Sequence, residues 1–136
     1  MKGLHIIADL YGCRNREMLA SSAMLREACV AACKAVGLRV LGDHFYQFEG
    51  LDATQVGGAT GAVVFAESHL AIHTWPELDA VTIDVYVCNF TTDNTAKAER
   101  VFATLKSRFA PARSSFQAIQ RGGVPAEALA PAGSPA

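Results

Sequence analysis

A chain of 136 residues with a formal charge of -1 has room for about one domain and one hydrophobic core. Twelve basic residues against thirteen acidic ones, with no basic run and a single Trp, argue against a nucleic-acid partner. The first apolar stretch is broken by Asp9 and has no small-residue cleavage site, and no later stretch reaches the ~18 apolar residues of a membrane span, so a cytoplasmic protein is expected.

Residues Leu4 to Tyr11 alternate, with Leu4, Ile6, Ala8 and Leu10 on one side, which predicts a strand with one apolar face. Asn15 then offers a helix cap and Glu17 a first-turn acid. Leu25, Ala28, Cys29, Ala32, Cys33 and Val36 follow at helical spacing before Gly37, which predicts one amphipathic helix of about five turns. The four cysteines, Cys13, Cys29, Cys33 and Cys88, form neither CxxC pairs nor a dense framework, so neither a zinc ribbon nor a disulfide scaffold is expected.

Leu38 to Phe48 is rich in β-branched and aromatic residues and reads as a strand with a bulge at Gly42. The ten residues 49–58, "EGLDATQVGG", read as a mobile loop. Strand character runs almost continuously from Ala59 to Trp75, "PELDA" makes a turn, and "VTIDVYVCN" is the cleanest strand in the chain. Its Val81, Ile83, Val85 and Val87 should face a core, leaving Thr82, Asp84, Tyr86 and Cys88 on the other side. A second helix, capped by Thr92 or Asp93, should run to about Phe109 on Val101, Phe102, Leu105 and Phe109. "RSSFQAIQR" reads as a last strand. Residues 122–136, rich in Pro, Ala and Gly, should form a flexible tail outside the core.

This order predicts an α+β fold, a two-layer sandwich in which an antiparallel sheet carries two helices on one face, built from a single domain over residues 1–121. The other sheet face would leave Phe45, Phe65 and Tyr86 in water, so a homodimer joined sheet to sheet is expected.

Most of the reactive side chains lie in "VVFAESHLAIHTWPELD", Val63 to Asp79. Ser68 and His73 stand five residues apart without a GxSxG elbow, a weak hydrolase signal. His69 and His73 lie four apart on a strand, about 13 Å at the usual rise, too far to share a metal ion; no metal is expected. Taken singly, each of these residues could simply satisfy neighbouring backbone groups.

Taken together, "ESHLAIHTWPE" (Glu67 to Glu77), "IDVYVCN" with Cys88 fifteen residues after His73, and the opening "GLHIIADLYGC" resemble the pyruvoyl-dependent S-adenosylmethionine decarboxylases of bacteria and archaea. The resemblance covers roughly residues 2–121. It implies that family's fold and a proenzyme that cuts itself between Glu67 and Ser68 into chains 1–67 and 68–136. The Ser68 hydroxyl would attack the Glu67 carbonyl in an N-to-O acyl shift, and β-elimination and hydrolysis would leave a pyruvoyl group. The resemblance assigns the processing base to His73, an assisting hydroxyl to Thr60, where a Ser is the family's expected residue, and the proton donor of the later decarboxylation to Cys88. The pyruvoyl ketone would hold the substrate as a Schiff base. Glu77 would hold the ribose hydroxyls and Phe48 would stack on adenine.

The implied function is decarboxylation of S-adenosylmethionine to the aminopropyl donor for spermidine. Two alternatives stay open. One is a pyruvoyl-dependent arginine or ornithine decarboxylase, with its pocket remodelled at the 49–58 loop. The other is a catalytically inactive partner subunit, against which the presence of Glu67, Ser68, His73 and Cys88 argues.

Overall fold

Nine-residue strands set the width of the sheet, and that width decides how the longest apolar stretch must behave. The computed structural model describes residues 2–123. In chain order these form β1 (Gly3–Tyr11), α1 (Arg16–Leu19), α2 (Ser22–Ala35), β2 (Arg39–Gln47), β3 (Ala59–Ala66), β4 (Ser68–Trp75), a 3-10 turn (Pro76–Leu78), β5 (Ala80–Cys88), α3 (Thr95–Phe109) and β6 (Arg113–Arg121). The strands make one antiparallel sheet in the order β2-β3-β4-β5-β1-β6. Helix α2 covers β2 and β3, and α3 covers β5 and β1.

One face of the sheet is therefore core. Ile6, Leu10, Val63, Phe65, Leu70, Ile72, Val81, Ile83 and Val85 pack beneath Leu25, Cys29, Cys33, Val101, Leu105 and Phe109, all with 0–1% exposure. Each large apolar side chain hidden there stabilises the fold by roughly 1.5–3 kcal/mol before entropy is counted. The expected alternation of β1 and β5 holds, as does the bulge: the β2–β3 register shifts between Val40 and Gly42.

Four expectations are corrected. The five-turn helix is two helices, because Ser21 takes an extended backbone and its hydroxyl accepts from Met24 N (3.1 Å). This second cap ends α1 and restarts the chain as α2, so the sandwich has three helices. The apolar run Ala59 to Trp75 is a hairpin, since seventeen extended residues would span about 56 Å, nearly twice the nine-residue neighbours. Phe65 lies on the helix face, 1% exposed. Phe45 also packs against the core, filling the space over its partner Gly61, where a Cβ would come within 2.0 Å of the ring; Tyr86 remains on the open face. Finally, α3 is capped at Asn94, because Asp93 Oδ1 accepts from Thr95 N (2.9 Å) in a turn just before the helix. From residue 124 onward the expected tail lies outside the described residues.

The open face carries all four histidines, His5, His44, His69 and His73, together with Tyr46, Val64, Trp75, Ile7 and Tyr86, by the strand alternation that sends their neighbours into the core.

Candidate active site

The site residues sit at the two ends of the β3–β4 hairpin. At the tip, one residue, Glu67, separates β3 from β4. Ser68 opens β4, and its hydroxyl donates to the Glu67 carbonyl oxygen at 2.5 Å. Because Phe65 pairs with Ser68 and His69 with Tyr86, two further steps along the same register set Cys88, the last residue of β5, opposite Glu67 at the turn. The Cys88 carbonyl accepts from Asn94 Nδ2 (2.8 Å), while Asn94 N donates to Asn89 Oδ1 (2.7 Å). These bonds pin the strand end to the start of α3.

Cys88 differs from the other thiols. Cys13, Cys29 and Cys33 are buried, and burial raises all three, Cys13 and Cys33 to about 11; they stay protonated and inert. Cys88 alone is partly exposed. Beside it Tyr86 lies under the Arg121 guanidinium, 4.7 Å from the ring centroid, with His5 and His69 each 5.8 Å from the same ring. Burial lowers His5 below the ordinary imidazole value, outweighing the nearby Asp84 carboxylate.

At the other end of the hairpin, Thr60 pairs with His73 across the strands, and Thr60 Oγ1 lies 2.6 Å from His73 Nδ1. If Thr60 donates that proton, Nε2 carries the ring hydrogen. The buried hydroxyl of Thr74 anchors this end, donating to Leu19 O (2.7 Å) and accepting from Ala59 N (2.8 Å). Next to His73 opens a cavity of about 410 Å³, walled by Phe48 and the following loop, Thr60, Trp75 and Glu77. Among the described residues no three His, Cys, Asp or Glu side chains gather as a metal site would require.

The structure thus sets Cys88 near the Glu67–Ser68 turn by strand register, and brings Thr60 together with His73, Phe48 and Glu77. It does not bring the two ends together within one chain: five residue steps along β4 separate Ser68 from His73, about 16 Å at the usual rise. Sequence reading gave no role to Trp75, although its place inside the motif and its aromatic ring were both visible. Arg121 carried no signal, since it reaches Tyr86 from thirty-five residues further along the chain; Asn94 lies only six residues past Cys88, but no motif marks its side-chain bond to the strand end.

The sequence pattern of the S-adenosylmethionine decarboxylase family matches residues 4–122. The chain belongs to that family. Similar family members include the S-adenosylmethionine decarboxylase proenzyme of Aquifex aeolicus, 39% identical over 120 residues, covering 88% of this chain and 81% of the relative. The proenzyme of the same name from Thermoplasma acidophilum is 36% identical over 126 residues, covering 93% and 88%. In three dimensions, the crystal structure of the adenosylmethionine decarboxylase from Aquifex aeolicus superposes with a TM-score of 0.78 at 36% identity, covering 91% of this chain and 93% of that one. The Trypanosoma brucei AdoMetDC-delta26 monomer, at 18% identity and a TM-score of 0.56, shares the fold alone; this chain spans 44% of its length.

Proposed function

We propose that this chain is a self-cleaving S-adenosylmethionine decarboxylase whose pyruvoyl cofactor is made from Ser68. The observation that carries the reading is the Ser68 hydroxyl lying against the carbonyl of Glu67 at the tip of a hairpin. The hydroxyl of Ser68 attacks that carbonyl carbon, the peptide nitrogen leaves as the ester forms, and a base removes the Ser68 α-proton so that the Glu67 carboxylate departs. Hydrolysis with loss of ammonia completes the group. Chains 1–67 and 68–136 then stay joined as one domain, because β3 and β4 remain hydrogen-bonded neighbours across the cut.

The residues around the turn fit such a group, since a hydroxyl precursor stands in the turn and a partly exposed thiol ends the neighbouring strand. The pyruvoyl supplies a ketone for the substrate amine and an electron sink for loss of carbon dioxide. Cys88 delivers a proton to the substrate α-carbon. His73 is the processing base, oriented by Thr60. Glu77 accepts from the ribose hydroxyls, and Phe48 and Trp75 offer flat apolar surfaces for adenine.

Because about 16 Å separates Ser68 from His73, we infer a homodimer in which each site takes Ser68 and Cys88 from one chain and Thr60, His73, Phe48 and Glu77 from the other. A two-fold axis between the open faces lays the hairpin tip of one chain over the cavity of its partner. Ala62 pairs with Ala71 in mid-face, small side chains that let a second sheet approach. Exposed Val64, Tyr46 and Trp75 supply apolar surface to bury. Four unpaired thiols support a reducing, cytoplasmic location.

Mass spectrometry of the purified protein tests the reading directly. It should show one chain ending at Glu67 and a second, blocked at its first residue; an intact 14.4 kDa chain with Ser68 unmodified would overturn it. Carbon dioxide release from S-adenosylmethionine, arginine and ornithine, assayed side by side, separates the substrates. The aromatic walls of the cavity favour the first.

A further inference from the structure

The cavity wall facing Trp75 is the chain from Phe48 to Gly58, and it has little packing of its own: Leu51 is 91% and Val56 61% exposed. Its shape depends on how its two ends are tied together. Gln47, the last residue of β2, makes that tie without lining the cavity. Its side-chain oxygen accepts from Ser22 N, at the start of α2 (2.6 Å). Its amide nitrogen faces three carbonyl oxygens, Phe48 O (3.3 Å), Gly57 O (3.1 Å) and Gly58 O (3.1 Å).

Three carbonyl dipoles converging on one point repel one another unless donors stand between them. A primary amide has two N–H donors and an acceptor on one short side chain, and so meets the helix and the loop at once. The neck is narrow: a Cβ on Gly57 would come within 2.0 Å of Phe48 O, and one on Gly58 within 2.1 Å of Thr74 O. Phe48 N donates to Gly58 O across it (2.9 Å).

We propose that Gln47 is a positioning residue for substrate binding, holding the Phe48–Gly58 wall at the spacing from Trp75 that admits a flat aromatic base. This rests on the reading of the cavity as the adenosyl pocket and adds the residue that sets its width. Gln47 touches no reacting atom; it acts through Phe48 and the loop.

Trp75 is the one tryptophan of the chain and lines the cavity, so its fluorescence reports occupancy without any cofactor. In a Ser68→Ala background, which cannot process, S-adenosylmethionine should give a saturable fluorescence change. Adding Gln47→Glu keeps the acceptor toward Ser22 N but sets a carboxylate against three carbonyls, and should weaken binding about tenfold. In the chain that retains Ser68, Gln47→Glu should raise KM about tenfold with kcat within about twofold, and leave the rate of self-cleavage unchanged. Equal affinity with and without Gln47→Glu overturns the proposal, as does a self-cleavage rate that falls in step with affinity, the mark of a general folding defect. Absence of any fluorescence response in Ser68→Ala alone overturns the adenosyl-pocket reading itself.

Discussion

The two ends of the β3–β4 hairpin differ in face and in kind: Thr60 and His73 at the base lie on the open face, while Ser68 at the tip pairs with Phe65 and continues the helix-side register of Leu70 and Ile72. The tip holds the Glu67–Ser68 bond proposed for cleavage, with the Cys88 thiol near it in the register; the base holds a histidine, an aromatic-walled cavity and a carboxylate. The strand between keeps the two ends about 16 Å apart. A motif contiguous in sequence is therefore divided in space. In the homodimer proposed above, a second copy of the chain would complete each site.

The largest effect that can break this comparison comes from mixing two dead variants. Ser68→Ala and His73→Ala should each stay a single uncleaved chain, whereas co-expressed they should yield cleaved His73→Ala chains, since in the proposed dimer Ser68 of one chain meets His73 of the other. Mass spectra showing no cleavage in the mixture would return both roles to a single chain.

Cys88→Ala sharpens the assignment at the tip. It should cleave normally yet lose decarboxylation by about 10²–10⁴-fold, the usual worth of a general acid; turnover near that of the parent would remove Cys88 from the reaction. At the base, Glu77→Gln should raise KM about tenfold, as expected for a lost charge-assisted hydrogen bond, with kcat little changed. A fall confined to kcat would move Glu77 from binding to catalysis.

The smallest effect is a pH dependence at the tip. His5 is lowered by burial, so the unfolded chain takes up this proton before the folded one does. Its contribution is full above about pH 6.5 and is lost as pH falls through the lower folded value. Melting temperature should therefore drop more steeply below pH 6.5 in the parent than in His5→Gln; parallel curves would discard the idea.

Much of this was legible in the residues. The alternation in Val81 to Val87 names the buried face of β5 and leaves Cys88 on the opposite one, because strand geometry is local. The family resemblance singled out Glu67, Ser68, His73 and Glu77. The break at Ser21 was harder to read, since Leu25, Cys29 and Cys33 continue the same periodicity and only the backbone of Ser21 marks a second cap. The turn at Glu67 was hidden for a similar reason: Val63, Phe65, Leu70 and Ile72 are apolar on both sides of it, and no Gly or Pro interrupts them.

Local order thus came from the amino acids in turn: strand faces, helix stripes, and a motif whose chemistry points to self-cleavage. The distances between those parts came from packing. A sheet nine residues wide folds the Ala59–Trp75 segment back on itself, so Thr60 meets His73 while Ser68 is carried to the far end, at the turn that faces the end of β5. Gln47 joins the loop that follows it to a helix whose Ser22 lies twenty-five residues before it in the chain. Such contacts depend on which strands become neighbours, and burial of the whole core, summed over all the elements, selects that arrangement.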